Sequence, residues 1–163
     1  MSSLSIAHYF PFPRVRILRQ RVSGEAGKAC LEAVPNKRFR PICHICGKPA
    51  ARVHSQEQRW VRDLDFGPAR VWICCLYRKI ICGHCRKILI EELDLFDPYL
   101  RVTKRLARYV FELCKVMTVQ EVARHLGLDW KTVKAIDRKC LEQAYGQTDY
   151  RGLRILAVDE VSI

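Results

Sequence analysis

The chain has 163 residues, 49% hydrophobic and 28% charged, a balance that excludes a disordered polymer and suits one ordinary domain or two small ones. No run approaches the roughly 20 apolar residues of a membrane helix, and the opening MSSLSIAHYFPFPRVR lacks the pattern of a signal peptide, so the expected location is the cytoplasm, with no membrane partner. The formal charge of +12 sits in the first half: residues 1–90 hold 17 Lys/Arg against 5 Asp/Glu, and residues 91–163 hold 12 of each. Such a field favours a polyanion held through counterion release, against the plainer reading of a soluble basic surface.

In chain order, residues 13–34 read as a hairpin around a Ser-Gly-Glu-Ala-Gly turn. Residues 41–90 then carry two Cys-x-x-Cys turns, CHIC at 43–46 and CGHC at 82–85, separated by a β-rich stretch with Gly67 and Pro68 at its turn. Cys43, Cys46, Cys82 and Cys85 together offer four thiolates. At about 2.3 Å each they close a tetrahedral Zn²⁺ shell with no open position, which is structural rather than catalytic chemistry. The plainer reading is two pairs of buried thiols, and a third is a rubredoxin-like iron centre. Nine cysteines in a reducing compartment argue for a metal site plus free thiols over a disulfide scaffold. His44 and His84 lie inside the pairs and are expected to face solvent or the second shell of ligands, and Cys74 and Cys75 to point to opposite faces of a strand.

A hinge is expected around LDLFDPYL, where Pro98 interrupts any regular element. Beyond it, Leu106, Tyr109, Val110, Leu113 and Met117 form one apolar stripe of a helix starting near Thr103. Thr118 stands three residues before Glu121, a capping box, and Gly127 closes that short helix. Asp129 then caps a longer helix with Val133, Ile136, Cys140 and Leu141 on one face. A short helix, a glycine turn and a longer helix make a helix-turn-helix, whose second helix enters a major groove. Its exposed residues Trp130, Lys131, Thr132, Lys134, Arg138 and Lys139 are the candidate DNA contacts, the first ones near base edges and Arg138 with Lys139 near phosphate. The competing reading is a plain three-helix unit with a solvated basic face.

The order ICHICG, RWVRDLDFG, LYRKIICGHCRKILIEEL, PYLRVTKRLARYV, TVQEVARHLGLDWKTVKAID and LRILAVDEVSI resembles the N-terminal part of the ISL-three family of bacterial insertion-sequence transposases, over roughly residues 13–163. The resemblance implies a zinc-binding module, a helix-turn-helix, and the first strand of an RNase-H-like catalytic domain with a DDE triad. Asp159 would then be the first metal-binding carboxylate, in a site that holds Mg²⁺ only in a complete family member. The expected fold is α+β: a β-rich basic zinc module over 13–95, a helix-turn-helix segment over 99–146, and a lone strand over 153–163 from a truncated catalytic domain. One carboxylate cannot hold two Mg²⁺ ions, and Glu160 on the opposite face of the strand cannot help, so no nuclease activity is expected of this chain. The resemblance implies double-stranded DNA as partner, specifically transposon terminal inverted repeats, in a bacterial cytoplasm at the nucleoid, with a homodimer left open. Two other readings stand beside it: a stand-alone zinc and helix-turn-helix transcriptional regulator, and a piece of an active transposase completed by frameshift or in trans.

Overall fold

The computed structural model describes residues 10, 12–23, 27–146, 151, 152, 154 and 155. They form an α+β protein with a five-stranded sheet followed by three helices. The strands are β1 (Val15–Ser23), β2 (Lys28–Pro35), β3 (Arg52–Arg62), β4 (Arg70–Cys82) and β5 (Lys87–Ile90), and the helices are α1 (Lys104–Cys114), α2 (Val119–Leu126) and α3 (Trp130–Tyr145).

The hairpin expected over 13–34 forms as β1 with β2, and the β-rich stretch forms a second one, β3 with β4, turning at Gly67 with φ +56°. The sheet order is β1-β2-β4-β3, because β4 inserts beside β2 in parallel, Lys28 opposite Arg70 and Leu31 opposite Ile73. β4 takes the central place because it alternates strictly: Val71, Ile73, Cys75 and Tyr77 are buried on one face, with Trp72, Cys74 and Leu76 between them only half-buried on the other. Its far end pairs with β5, which brings the second cysteine turn back beside the first.

The buried face packs Ala29, Leu31, Ala33, Val61 and Ile73 under Phe12, Leu93, Leu95 and Phe96. Tyr77 meets Phe96 edge to face at 6.0 Å. Arg59 lays its guanidinium 5.1 Å from the Tyr77 ring and 5.3 Å from that of Phe96, so its buried Nη1, which lacks a hydrogen-bond partner, faces π-density instead.

This packing corrects the expectation of a hinge near Pro98. Leu93, Leu95 and Phe96 are essentially fully buried, Phe96 bridges to Thr103, and the Lys104 amide donates to the Leu95 carbonyl at 2.9 Å. The apolar run LDLF anchors the segment as a strap between sheet and helices, and Pro98 shapes a turn inside it.

The strap leads into a second core of Val102, Leu106, Val110, Val122, Val133 and Ile136. At roughly 1.5–3 kcal/mol per buried aliphatic side chain, this cluster supplies more to the short helices than their propensities could. The caps stand where the sequence places them. Thr103 Oγ1 accepts from the Leu106 amide at 3.2 Å, Thr118 and Glu121 make a reciprocal capping box, Gly127 ends α2 at φ +62°, and Asp129 caps α3. Two stripe positions differ: Tyr109 (41% exposed) and Leu141 (43%) lie at the edge of the helical core, because α1 and α3 each bury a narrower face than the spacing suggested.

Sheet and helices are locked by ions. Asp63, with no exposed surface, accepts from Thr103 Oγ1 and Arg105 Nε, both at 2.7 Å, and from Arg105 Nη2 at 2.5 Å. The expected C-terminal strand over 153–163 lies outside the described residues apart from Arg154 and Ile155, which are exposed and carry no strand. Asp159 also lies outside them.

Candidate metal centre and nucleic-acid interface

Two short turns build the cysteine site. In the first, the Cys43 amide donates to the Lys48 carbonyl and the Gly47 amide to the Cys43 carbonyl, both at 2.9 Å, with Gly47 at φ +68°. In the second, the Arg86 amide donates to the Cys82 carbonyl at 2.9 Å, and Arg86 takes the corresponding left-handed conformation at φ +53°. The same backbone curl follows each Cys-x-x-Cys pair. In each turn an amide also points at sulfur: Ile45 N lies 3.4 Å from Cys43 Sγ and Cys85 N lies 3.3 Å from Cys82 Sγ.

The four sulfurs all lie within 4.8 Å of one another, Cys43 and Cys85 at 3.8 Å and Cys46 and Cys82 at 3.6 Å. A tetrahedron of four thiolates with Zn–S near 2.3 Å has edges of about 3.8 Å, so the donor set fits a closed structural shell. The amide of Cys85 stabilises the Cys82 thiolate and brings its pKa down to about 7, while desolvation pushes Cys85 up to about 12. A divalent cation is what would hold all four deprotonated together. The histidines stand outside this set. His44 Nδ1 is bonded to the Ile90 carbonyl at 2.7 Å, and His84 Nδ1 lies 3.2 Å from Lys48 Nζ in solvent. Cys75 is buried, and desolvation raises its pKa to about 12, as suits an inert core thiol.

The other site is the outer surface of α3. Its buried side, Val133 and Ile136, fixes the helix against α1 and α2, which leaves its N-terminal turn facing outward. Trp130 is 48% exposed and Lys131 Nζ lies 5.8 Å from its ring, Lys134 is exposed, and Thr132 is half-buried in the groove beside the sheet. Arg138 is exposed, paired with Glu142 one turn on at 2.9 Å. Lys139 departs from the expectation of an open cation: its ammonium is 2.7 Å from Asp97 of the strap, because that face of α3 looks back toward the chain. Trp130, Lys131, Lys134 and Arg138 thus share the open side of the helix, Thr132 lies in the groove beside the sheet, and Lys139 faces the strap.

Residues 91–140 match the helix-turn-helix domain of transposase family ISL3. The chain carries an ISL3-family transposase helix-turn-helix. The match opens at Glu91, so the ISL3 unit takes in the strap as well as the helices. The chain is also 34% identical over 122 residues to the transposase for insertion sequence element IS1001 of Bordetella parapertussis, an alignment covering 75% of this chain and 30% of that protein. It therefore spans less than a third of that relative. No solved structure matches the chain. The family read from the motif order is borne out by both matches.

Sequence reasoning missed a third group. Lys28, Trp60, Arg70, Trp72 and Arg101 come together beside the α2–α3 turn and line one groove. Alternation alone would put Arg70 and Trp72 on one face of β4, but the parallel pairing of β2 with β4 that adds Lys28 has no local signal.

Proposed function

We propose that α3 docks in the major groove of double-stranded DNA and reads the terminal inverted repeats of an insertion element, with Lys131, Thr132 and Lys134 at base edges and Arg138 at phosphate. The observation that carries this reading is the ISL3 helix-turn-helix itself, whose second helix holds its apolar residues inward and its N-terminal cations outward. Lys139 is left out of the contact set because it is turned to Asp97 and only 33% exposed, whereas Arg138 stays 78% exposed beside Glu142. In this reading Zn²⁺ on Cys43, Cys46, Cys82 and Cys85 is structural. The four residues pin the β4–β5 turn to the chain after β2 and supply folding energy at an end of the sheet whose core is small.

By the family resemblance Asp159 would be the first carboxylate of a DDE triad, in a site whose Mg²⁺ belongs to a complete family member. Two-metal phosphoryl transfer needs several carboxylates around ions about 3.5–4 Å apart, so these 163 residues taken alone are expected to bind DNA ends and neither cut nor join them. Turnover in a nicking assay with Mg²⁺ would contradict that part.

Gel shifts with the element's end against random duplex, across a salt series, test the main reading. Tighter binding of the end, with affinity falling steeply as salt rises, is expected. Equal affinity for both duplexes would contradict sequence recognition. Specific binding only at a site unlinked to any element end would favour a transcriptional regulator instead.

A further inference from the structure

The groove of about 500 Å³ beside the α2–α3 turn is built by the sheet as much as by the helices. Register places its residues on the outer face: Lys28 stands opposite Arg70, Cys30 opposite Trp72, Trp72 opposite Arg62, and Cys74 opposite Trp60. This is the side turned away from the core under Phe96, and Trp60 is half exposed on it. Like charges directly opposite on neighbouring strands repel, which makes the Lys28–Arg70 pair costly unless something negative covers it.

Nothing in the chain does so among the described residues. Lys28, Arg70 and Arg101 form no ion pair there, while Arg62, the remaining arginine in the groove, is committed to Asp65 and to the carbonyls of Asp63 and Val71. The acid at the groove's edge, Asp129, spends its carboxylate on the α3 cap, accepting from the Lys131 amide at 2.8 Å. The Arg70 guanidinium meanwhile lies over the helix-turn-helix turn itself: a Cβ at residue 127 would fall 2.5 Å from its Nη2. Gly127 therefore serves twice, supplying the left-handed φ that ends α2 and the room that lets a sheet arginine reach the start of α3.

A second depression of about 410 Å³ shares Lys28 and Trp60 and continues across β1 past Arg19 and Arg21, with Glu32, opposite Arg19 in register, the one acid in its lining. From β1 to β3 the surface is three strand spacings wide, roughly 14 Å. Duplex DNA carries one negative charge per about 1.7 Å of axis, so such a width faces several phosphates.

We propose that this open sheet face is a second DNA-contacting surface, in which Lys28, Arg70 and Arg101 hold the sugar-phosphate backbone of the same duplex that α3 reads, with Trp60 packed against its sugars. The proposal rests on the reading of α3 as a DNA-docking helix, and it assigns the sheet the part of affinity that is independent of base sequence. The occupant is duplex backbone because the cations lead directly onto the N-terminus of α3.

Three variants of the full 163-residue chain separate the possibilities: Lys28→Gln with Arg70→Gln on the sheet, Lys131→Ala with Lys134→Ala on α3, and Lys37→Gln with Arg38→Gln as a control. The control removes the same charge beyond the other end of β2, roughly 25 Å away. Binding of element-end and random duplexes is measured across a salt series. The sheet variant is expected to weaken both duplexes alike, by roughly tenfold or more, and to lower the salt slope by about 2. The control should change affinity less than about threefold, and Arg70→Lys should keep the salt slope if Arg70→Gln disturbs the turn. A sheet variant indistinguishable from the control overturns the proposal, as does a loss confined to single-stranded oligonucleotides. An α3 variant that leaves discrimination intact contradicts the helix-turn-helix reading instead, whatever the sheet variant does.

Discussion

The two ends of this molecule are stabilised by different means. Around α1–α3, eight buried residues, three side-chain caps and a left-handed glycine hold the helices in place. Around the cysteine turns the buried set is only Cys43, Ile80 and Cys82, with Cys46, Ala50, Cys85 and Leu89 packed against it. A cluster of that size contributes a few kcal/mol at most, so under the proposed zinc reading the turns would depend on what the four sulfurs bind. The contrast is then between an apolar core, which tolerates small injuries in proportion to the volume lost, and a knuckle that, if held by metal as proposed, would fail all at once.

The largest effect should come from breaking the knuckle. Cys82→Ser, or chelation of the native chain, is expected to take zinc from about one per chain to near zero and to destabilise the protein by roughly 3 kcal/mol or more, read by metal analysis and thermal melting. A chain that melts unchanged without metal would make the two ends alike and remove the contrast. Next, Ile136→Ala in the helical core should cost about 2–5 kcal/mol in denaturant unfolding, and Ile136→Val about 0.5–1.5. That graded pair is the signature of packing, and no graded pair exists for a zinc thiolate.

Asp63→Ala should cost about 2–4 kcal/mol, since it removes the buried carboxylate that Arg105 and Thr103 share at the junction of sheet and helices. A smaller effect, about 1 kcal/mol, is expected for Thr118→Ala at the α2 capping box. The smallest is a pH effect. Lys79 and the Tyr77 hydroxyl hold the Glu57 carboxyl below its ordinary 4.5, and the Thr118 amide and hydroxyl do the same for Glu121. Both groups lose less from ionisation folded than unfolded, so their contribution is complete above about pH 4.5 and fades as pH falls through the lowered folded values. Melting curves between pH 6 and 3 on the wild type and on Glu57→Gln should converge at the acid end.

The helical unit was legible because its code is local. Thr118 and Glu121, Gly127 and Asp129 each act within a turn of their own position, and a period of 3.6 marks Val133 and Ile136. The cysteine site was legible for a related reason, since Cys-x-x-Cys fixes one half of the shell by spacing alone. What the sequence hid is non-local. Nothing near Lys28 announces that β4 will lie parallel to β2, and nothing in LDLFDPYL distinguishes a hinge from a strap until Leu95 and Phe96 are seen buried under the sheet. The ion pair of Lys139 was hidden for the same reason, because its partner Asp97 is 42 residues away. The groove beside α3 follows from these long-range pairings, which is why charge counting located the basic half but not its working face.

The measurement closest to the central claim is the ratio of affinities for element-end and random duplex in a Thr132→Ala, Lys134→Ala chain at fixed salt. If α3 reads base edges, each lost contact removes about 1–3 kcal/mol of discrimination, so the ratio should collapse by roughly tenfold or more while affinity for random duplex falls far less. An unchanged ratio would place sequence recognition somewhere other than α3.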